Sequence, residues 1–250
     1  MTKKEVIETG AWSLESLEHL LNHASSIDDA GKRIVYVSEQ FLGVRYAEST
    51  LTGDIVTEEV FTLNLGALDC FTFIDYVEAM QRSSSFSSFR GNLKKVRYQN
   101  GIIAFEKRNH FFTDWILFNA DLVEDVTQKT GAGKTRPIRK RLNIKEDGTP
   151  FVPGIKSVQR DISYIPSSAI DDAVTGRLNT GDYVGIYSGM KGLDVSHVGI
   201  FIREGNSAVY RHASSRQEYR KVLDEDFAAY VSSKPGIIIL RPRASNAAAG

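Results

Sequence analysis

Apolar residues recur at helical spacing in two segments near the N-terminus of the chain, residues 13–23 and 28–42. Within each segment they fall three or four positions apart and so share one face of a helix. The residues on these two faces are Leu14, Leu17, Leu20, Leu21, Ile34, Val37, Phe41 and Leu42. Gly43 follows the second segment, where glycine commonly ends a helix. The pattern predicts two amphipathic helices, and residues 71–80 predict a third, buried one.

Short apolar runs of strand length dominate the C-terminal part of the chain. These runs are residues 182–187, 195–202, 208–212 and 237–241. An acidic helix is predicted at 224–231. Helices first and strands afterwards indicate an α+β fold, with helices packed on an antiparallel sheet. We expect one domain over residues 1–250, with N-terminal helices at about 13–42, a long insertion at about 107–180 and a frayed tail at about 244–250.

Two local predictions concern the middle of the chain. Residues 95–99 and 102–106 flank Asn100-Gly101, a pair typical of the two-residue turn of a β-hairpin. A hairpin is therefore predicted there. Residues 120–129 predict a helix.

Charge and composition narrow the function classes. Lys+Arg and Asp+Glu number 31 each, whereas nucleic-acid-binding domains usually carry a basic excess, so no nucleic-acid partner is expected. No apolar run reaches the length of a membrane span, so integral membrane association is not expected. The first residues lack the apolar core of a signal peptide. Either the protein works where it is made, or a leader is missing from this chain.

Two partial motifs point to no cofactor. Gly131-Ala-Gly-Lys-Thr135 resembles half a phosphate-binding loop, but Gln128 occupies the position of its first glycine. His19 and His23 have metal-ligand spacing on a helix but lack an evident third ligand. We therefore expect neither a metal nor an organic cofactor.

The chain contains a single cysteine, Cys70, which lies where a polar loop enters a helix. A helix N-terminus lowers the pKa of a thiol, and a nearby histidine would make it a nucleophile. His197 opens an apolar strand, and His212 follows on what we expect to be the neighbouring strand, so one could act as base and the other could orient it. The alternatives are a small buried hydrophobe at Cys70 and two structural strand histidines.

Residues 108–115 combine aromatic and charged side chains within one or two helical turns. Aromatic faces such as that of Trp115 stack on sugar rings, and Arg108 and the preceding Lys107 could hold a carboxylate. His110 and Asp114 complete the set, which suits a ligand with a sugar, amides and acidic groups. The alternative is an aromatic cluster with a surface ion pair.

Five short phrases occur in the order found in NlpC/P60 cell-wall peptidases, which are papain-like enzymes. They are Gly43-Val-Arg-Tyr46, Leu68-Asp-Cys-Phe-Thr-Phe73, Gly181-Asp-Tyr-Val184, His197-Val-Gly-Ile200 and His212-Ala-Ser-Ser215. The segment Arg108-Asn-His-Phe-Phe-Thr-Asp-Trp115 resembles one branch in particular, the DUF1460 family of N-acetylmuramoyl-L-alanine amidases. The resemblance spans about residues 35–242.

This resemblance implies a papain-like α+β fold and a Cys–His–His mechanism. Cys70 would be the nucleophile, His197 the general base and acid, and His212 the residue that orients His197. The residues that would line the substrate site are Tyr46, Asp69, Arg108, His110, Asp114 and Trp115. The Cys70 N–H would donate to an oxyanion hole. Phe71 replaces the serine that commonly follows the nucleophile, which leaves the second donor unassigned.

The implied reaction is hydrolysis of the amide that joins N-acetylmuramic acid to L-Ala in muropeptides. That substrate class places the protein in the periplasm or cell envelope. Two main alternatives stay open: an endopeptidase that cuts the γ-D-Glu to diaminopimelate bond, and an inactive muropeptide-binding domain. A weaker third alternative is a transferase that acts on amides or thioesters through the same Cys–His pair.

Overall fold

The computed structural model describes residues 5–205 and 207–244. The α-helices are α1 (Leu14–Ser25), α2 (Ala30–Glu39), α3 (Cys70–Gln81), α4 (Phe86–Arg97), α5 (Phe112–Phe118), α6 (Thr127–Gly131), α7 (Asp172–Thr175) and α8 (Phe227–Ser232). The strands are β1 (Glu5–Glu8), β2 (Arg45–Tyr46), β3 (Phe61–Asn64), β4 (Ala67–Leu68), β5 (Val123–Asp125), β6 (Arg136–Leu142), β7 (Val158–Pro166), β8 (Tyr183–Tyr187), β9 (Val195–Glu204), β10 (Ser207–Ala213), β11 (Val222–Asp226) and β12 (Gly236–Pro242). The frayed tail predicted at 244–250 lies outside the described residues, except for Ala244.

Both predicted N-terminal helices are confirmed, and side-chain caps set their starts. The Ser13 hydroxyl accepts a hydrogen bond from the Ser16 N–H, and the Asp29 carboxylate accepts one from the Lys32 N–H. These caps satisfy N–H groups that have no partner inside the helix. The first helix buries Leu17, Leu20, Leu21 and Ala24.

The central sheet has the strand order β11-β10-β9-β8-β12-β7-β6, and β5 pairs with β12. Every pairing in it is antiparallel, which confirms the α+β class with helices on an antiparallel sheet. Alternate residues of β12 enter two different cores. Ile238 and Leu240 pack with the side of α1 to α4, whereas Ile237 and Ile239 pack with α7 and α8. The sheet is therefore covered on both faces.

The predicted hairpin around Asn100-Gly101 is wrong. Helix α4 continues to Arg97, and a single 3₁₀ turn, Gln99–Gly101, follows it. Apolar residues at helical spacing hold α4 against the core, among them Phe89, Leu93 and Val96. Asn100 and Gly101 do adopt positive φ angles of 56° and 69°, as their types favour. They use this freedom to end a helix instead of turning a hairpin.

The helix predicted at 120–129 is also wrong over most of its length. Residues Val123–Asp125 form β5, which pairs with the end of β12, and only Thr127–Gly131 is helical. The insertion predicted at 107–180 contributes β6 and β7 to the central sheet. The sheet therefore extends past β12 through strands that the insertion supplies.

Candidate active site

Cys70 is the first residue of α3, and the local sequence explains its position. The carboxylate of Asp69 accepts hydrogen bonds from the N–H groups of Phe71 at 3.0 Å and Thr72 at 2.7 Å. The Thr72 hydroxyl accepts one from the Asp69 N–H at 2.9 Å, which completes a capping box. This box starts the helix at Cys70. Asp69, predicted to line the substrate site, therefore has one carboxylate oxygen committed to the helix cap.

His197 and His212 lie on the adjacent antiparallel strands β9 and β10. Nε2 of His197 lies 2.7 Å from Nδ1 of His212. Nε2 of His212 lies 2.8 Å from Oε2 of Glu225 on β11. Gly199 makes this close approach possible, because a Cβ at that position would lie 2.8 Å from the His212 Cβ. The glycine of the His-Val-Gly-Ile phrase therefore makes room for the second histidine.

His197, His212 and Glu225 form a hydrogen-bonded chain, and its direction follows from which atoms can donate a proton. An ionised carboxylate only accepts, so Nε2 of His212 carries the proton that Glu225 binds. The other nitrogen of neutral His212 is then an acceptor, and Nε2 of His197 must donate to it. Neutral His197 is left with an unprotonated Nδ1, which has no hydrogen-bond partner within residues 5–205 and 207–244. The hydrogen-bonded chain thus fixes the His197 tautomer in which Nδ1 is unprotonated.

Helix α3 packs against β9, and a groove of about 100 Å³ lies between them. Cys70 and His197 both line this groove. Backbone polar groups of Cys70, Phe71 and Val198 surround the thiol. The opposite wall includes His110 and Phe111.

Burial sets the protonation states in this groove. It raises the pKa of the Cys70 thiol to about 12, and the neighbouring Asp69 carboxylate raises it further. Burial also lowers the pKa of His197 to about 3 and that of His212 to about 4. The resting pair at neutral pH is thus a thiol and a neutral imidazole. The prediction that the helix N-terminus lowers the Cys70 pKa is wrong, because burial and the Asp69 carboxylate raise this pKa by more than the backbone groups of Val198, Cys70 and Phe71 lower it.

Tyr46 lies close to the cysteine, in a two-residue strand beside β4. It pairs with Leu68, two residues before Cys70. The guanidinium of Arg220 lies 4.8 Å from the centre of its ring. Burial raises the pKa of Tyr46 to about 12, and its proximity to Cys70 adds to the rise. Its neutral ring is therefore positioned beside the start of α3.

Two of the substrate-binding residues predicted within 108–115 make structural contacts inside the protein instead. Arg108 makes a two-pronged ion pair with Glu59, with distances of 2.7 Å and 2.6 Å, so its guanidinium is not free for a substrate carboxylate. Trp115 is fully buried, and its Nε1 donates to Asp75 at 3.1 Å. No face of this indole is left for a sugar ring, so the expected stacking does not fit the structure.

The other two residues of the segment lie on cavity walls. His110 lines the groove, but its Nε2 lies 2.7 Å from the carbonyl oxygen of Phe105. Burial lowers the pKa of His110 to about 4. Asp114 is nearly buried and accepts a hydrogen bond from Arg160 at 2.6 Å, on the wall of a second cavity.

Glu225 is the residue of the hydrogen-bonded chain that sequence reasoning missed. It fell within a helix predicted at 224–231, whereas α8 begins only at Phe227 and Glu225 belongs to β11. The available signal was Asp226, which caps α8 by accepting a hydrogen bond from the Ala229 N–H. An aspartate followed by an apolar helical run marks the helix start there and assigns the preceding acids to a strand.

Taken together, the fold and groove define an α+β protein with a thiol and a hydrogen-bonded histidine pair on facing elements. The chain belongs to the AmiA-like family, described as N-acetylmuramoyl-L-alanine amidase-like, whose model matches residues 36–237. A comparison with curated proteins gives no match.

Solved structures with a similar fold include two from bacteria. A Legionella pneumophila protein of the DUF1460 family is 22% identical with a TM-score of 0.78, over 92% of this chain and 94% of that one. An N-acetylmuramoyl-L-alanine amidase from Bacteroides uniformis is 26% identical with a TM-score of 0.69, over 86% of this chain and 99% of that one. The family and the Bacteroides relative connect the chain with amidases of the cell wall, and the Legionella protein shows the shared fold.

Proposed function

We propose that this protein hydrolyses the amide between the lactyl group of N-acetylmuramic acid and L-Ala, with Cys70 as the nucleophile. The observation that carries the proposal is the groove that Cys70 shares with His197, whose Nδ1 the hydrogen-bonded chain leaves free. The choice of this amide as the cleaved bond rests on membership of an amidase-like family. We further propose that the fold is of the papain-like NlpC/P60 kind, since the helix that starts at Cys70 packs on the strand that carries His197.

In the first step the neutral pair reacts together. Nδ1 of His197 takes the thiol proton as Sγ attacks the lactyl carbonyl carbon, so no stable thiolate is needed beforehand. The positive charge that develops on His197 is stabilised through His212 by the carboxylate of Glu225. His212 and Glu225 act as positioning residues, because His212 contacts His197 directly and Glu225 acts on it through His212.

The tetrahedral oxygen needs hydrogen-bond donors. The N–H of Cys70 is the first of the helix, where it has no intrahelical acceptor, and it lies beside the thiol, so we assign it to this task. His197 then returns its proton to the nitrogen of L-Ala, and the carbon–nitrogen bond breaks. A water molecule, deprotonated by His197, attacks the thioester and releases the lactyl acid and the Cys70 thiol.

The proposed substrate determines where the protein would act. Peptidoglycan fragments occur in the cell envelope, so we propose action there. No helix in the described part of the chain has the length and apolar character needed to span a membrane.

Product analysis tests the proposal. Purified protein is incubated with a disaccharide-tetrapeptide and separately with the free tetrapeptide, and products are identified by mass. We expect free disaccharide and intact tetrapeptide from the first substrate and no reaction of the second.

Two other outcomes would contradict the proposal. Release of L-Ala-D-Glu from the tetrapeptide would identify a γ-D-Glu to diaminopimelate endopeptidase. No turnover of either substrate, with the substrate nevertheless bound, would identify an inactive muropeptide-binding domain. The Cys70→Ala variant, folded as judged by circular dichroism, serves as the matched control and should release nothing.

A further inference from the structure

A second cavity of about 500 Å³ adjoins the groove that contains Cys70. Phe111 lines both spaces, so the groove and the second cavity lie against the same side chain. A volume of this size is within the range of small-ligand pockets, whereas the groove alone is too small for a muropeptide. We call it the lysine cavity, after Lys107 and Lys156 in its lining.

The cationic groups of this cavity differ in whether they are already paired. Arg160 donates to Asp114 at 2.6 Å, and that pair is close to neutral. Lys107 is half-buried and Lys156 is exposed, and neither has an ion-pair partner in the part of the chain that the structure describes. One exposed acid, Glu106, also lies on the wall. Cations therefore exceed anions, and two ammonium groups are free to bind an anion.

Arg160 adds a further donor without an acceptor. Its Nε is buried and makes no hydrogen bond in the protein. A buried donor of this kind carries a cost that a ligand acceptor would relieve. Of the two residues expected from the sequence to bind a carboxylate, Arg108 is paired with Glu59 through Nε and Nη2, whereas Lys107 has no such partner in the described residues.

The wall that carries Lys156 is held in place before any ligand binds. The side chain of Asn143 donates to the carbonyl oxygens of Val152 at 2.9 Å and Ile155 at 2.8 Å. It also accepts a hydrogen bond from the Val152 N–H at 2.7 Å. Because this loop is already ordered, little conformational entropy is lost when a ligand binds beside it.

We propose that the lysine cavity is a subsite for a carboxylate-bearing peptide, the acidic stem that follows L-Ala in the substrate. The inference rests on the proposed function for the nature of the peptide. The ammonium groups of Lys107 and Lys156 bind the carboxylates, and the ring of Phe111 separates this subsite from the cleavage point. The neutral sugar is expected on the other side of Cys70.

Binding to the Cys70→Ala protein tests this subsite without turnover. The two probes are N-acetylmuramyl-L-Ala-D-Glu and the same compound with both carboxyl groups converted to amides, titrated by calorimetry at low and moderate salt. We expect the acid to bind about tenfold more tightly than the diamide, since a charge-assisted contact contributes on this order. Raising the salt should reduce that ratio.

Variants in the same background locate the effect. Lys107→Gln with Lys156→Gln should weaken the acid about tenfold and leave the diamide unchanged, whereas the exposed Lys95→Gln on α4 should change neither. Equal weakening of both probes, an unchanged ratio, or failure of the acid to bind would overturn the subsite. Failure of the proposed function is distinguished by product analysis with intact Cys70, which reports cleavage of the muramyl amide whether or not the lysines discriminate.

Discussion

Two histidine-bearing regions line the same groove, yet their polar atoms are used very differently. On β9 and β10, a chain that starts at Glu225 passes through His212 to His197 and leaves one ring nitrogen free. In the segment 108–115, His110 donates to a backbone carbonyl and Arg108 is paired with Glu59. The comparison teaches that a reactive side chain is recognised by the atom its neighbours leave unpaired, and residue type alone does not identify it.

The largest expected effect separates the two regions by activity. His197→Ala removes the proposed base and should lower kcat by about 10²–10⁴-fold, the usual contribution of a general base. His110→Ala, which removes a structural contact, should lower kcat/KM less than about tenfold. Release of disaccharide measures both, with the exposed His19→Ala as the control. Equal losses at His110 and His197 would place His110 in the catalytic machinery and undo the contrast.

The next prediction concerns the contribution of the Arg108–Glu59 ion pair to the stability of the fold. Arg108→Met leaves the buried carboxylate of Glu59 with only the Tyr98 hydroxyl as partner. Removing one partner of a buried ion pair costs about 3–5 kcal/mol, so the free energy of unfolding in urea should fall by that amount. Adding Glu59→Gln should recover most of the loss. A large drop in kcat/KM in protein that remains folded would instead show that Arg108 binds substrate.

Much of the fold was predictable because local signals agreed with the tertiary contacts. The first two helices and the strands of the C-terminal sheet have the expected periods, and Cys70 lies at the start of a helix as predicted. The neighbouring positions of His197 and His212 also followed from strand spacing and a short turn. These features depend on residues close together in sequence.

The remaining features depend on partners that are distant in sequence. The helix α4 overrides a strong hairpin signal because its apolar face meets the core. Trp115 was expected to face a ligand. Its indole N–H instead donates to the buried carboxylate of Asp75, which lies 40 positions earlier in the sequence. Glu225 reaches the site because β11 pairs with β10, a contact that the local sequence pattern does not reveal. The raised pKa of Cys70 reflects burial, which no spacing reveals.

A smaller effect is expected at the far end of the hydrogen-bonded chain. Glu225→Gln keeps an acceptor for Nε2 of His212 but removes the negative charge, so kcat should fall about tenfold with KM little changed. The loss of that charge destabilises protonated His197, and the acid limb of kcat/KM should therefore move to lower pH. A merely structural residue would leave this limb in place. The exposed Glu218→Gln serves as the control.

An unchanged pH profile in Glu225→Gln would contradict the positioning role. It would mean that Arg216, which pairs with the other oxygen of Glu225 at 2.9 Å, already cancels the charge that His212 experiences. The single variant Arg216→Gln distinguishes these cases. If Glu225 acts through its charge, removing Arg216 should move the acid limb in the opposite direction, to higher pH.

The smallest effect is one that the two regions share. Burial holds the pKa of His110 at about 4 and those of His197 and His212 at about 3 and about 4, below the value of about 6.5 for an unfolded chain. Between these values the unfolded chain binds protons that the folded chain does not, so stability decreases as the pH falls. From pH 7 to pH 6 each histidine should lower the free energy of unfolding by about 0.7 kcal/mol. In urea denaturation, His110→Gln should therefore reduce the combined decrease by about a third. An undiminished decrease would show that the pKa of His110 is not lowered in the folded protein, so that its burial and its hydrogen bond to Phe105 do not hold the ring neutral.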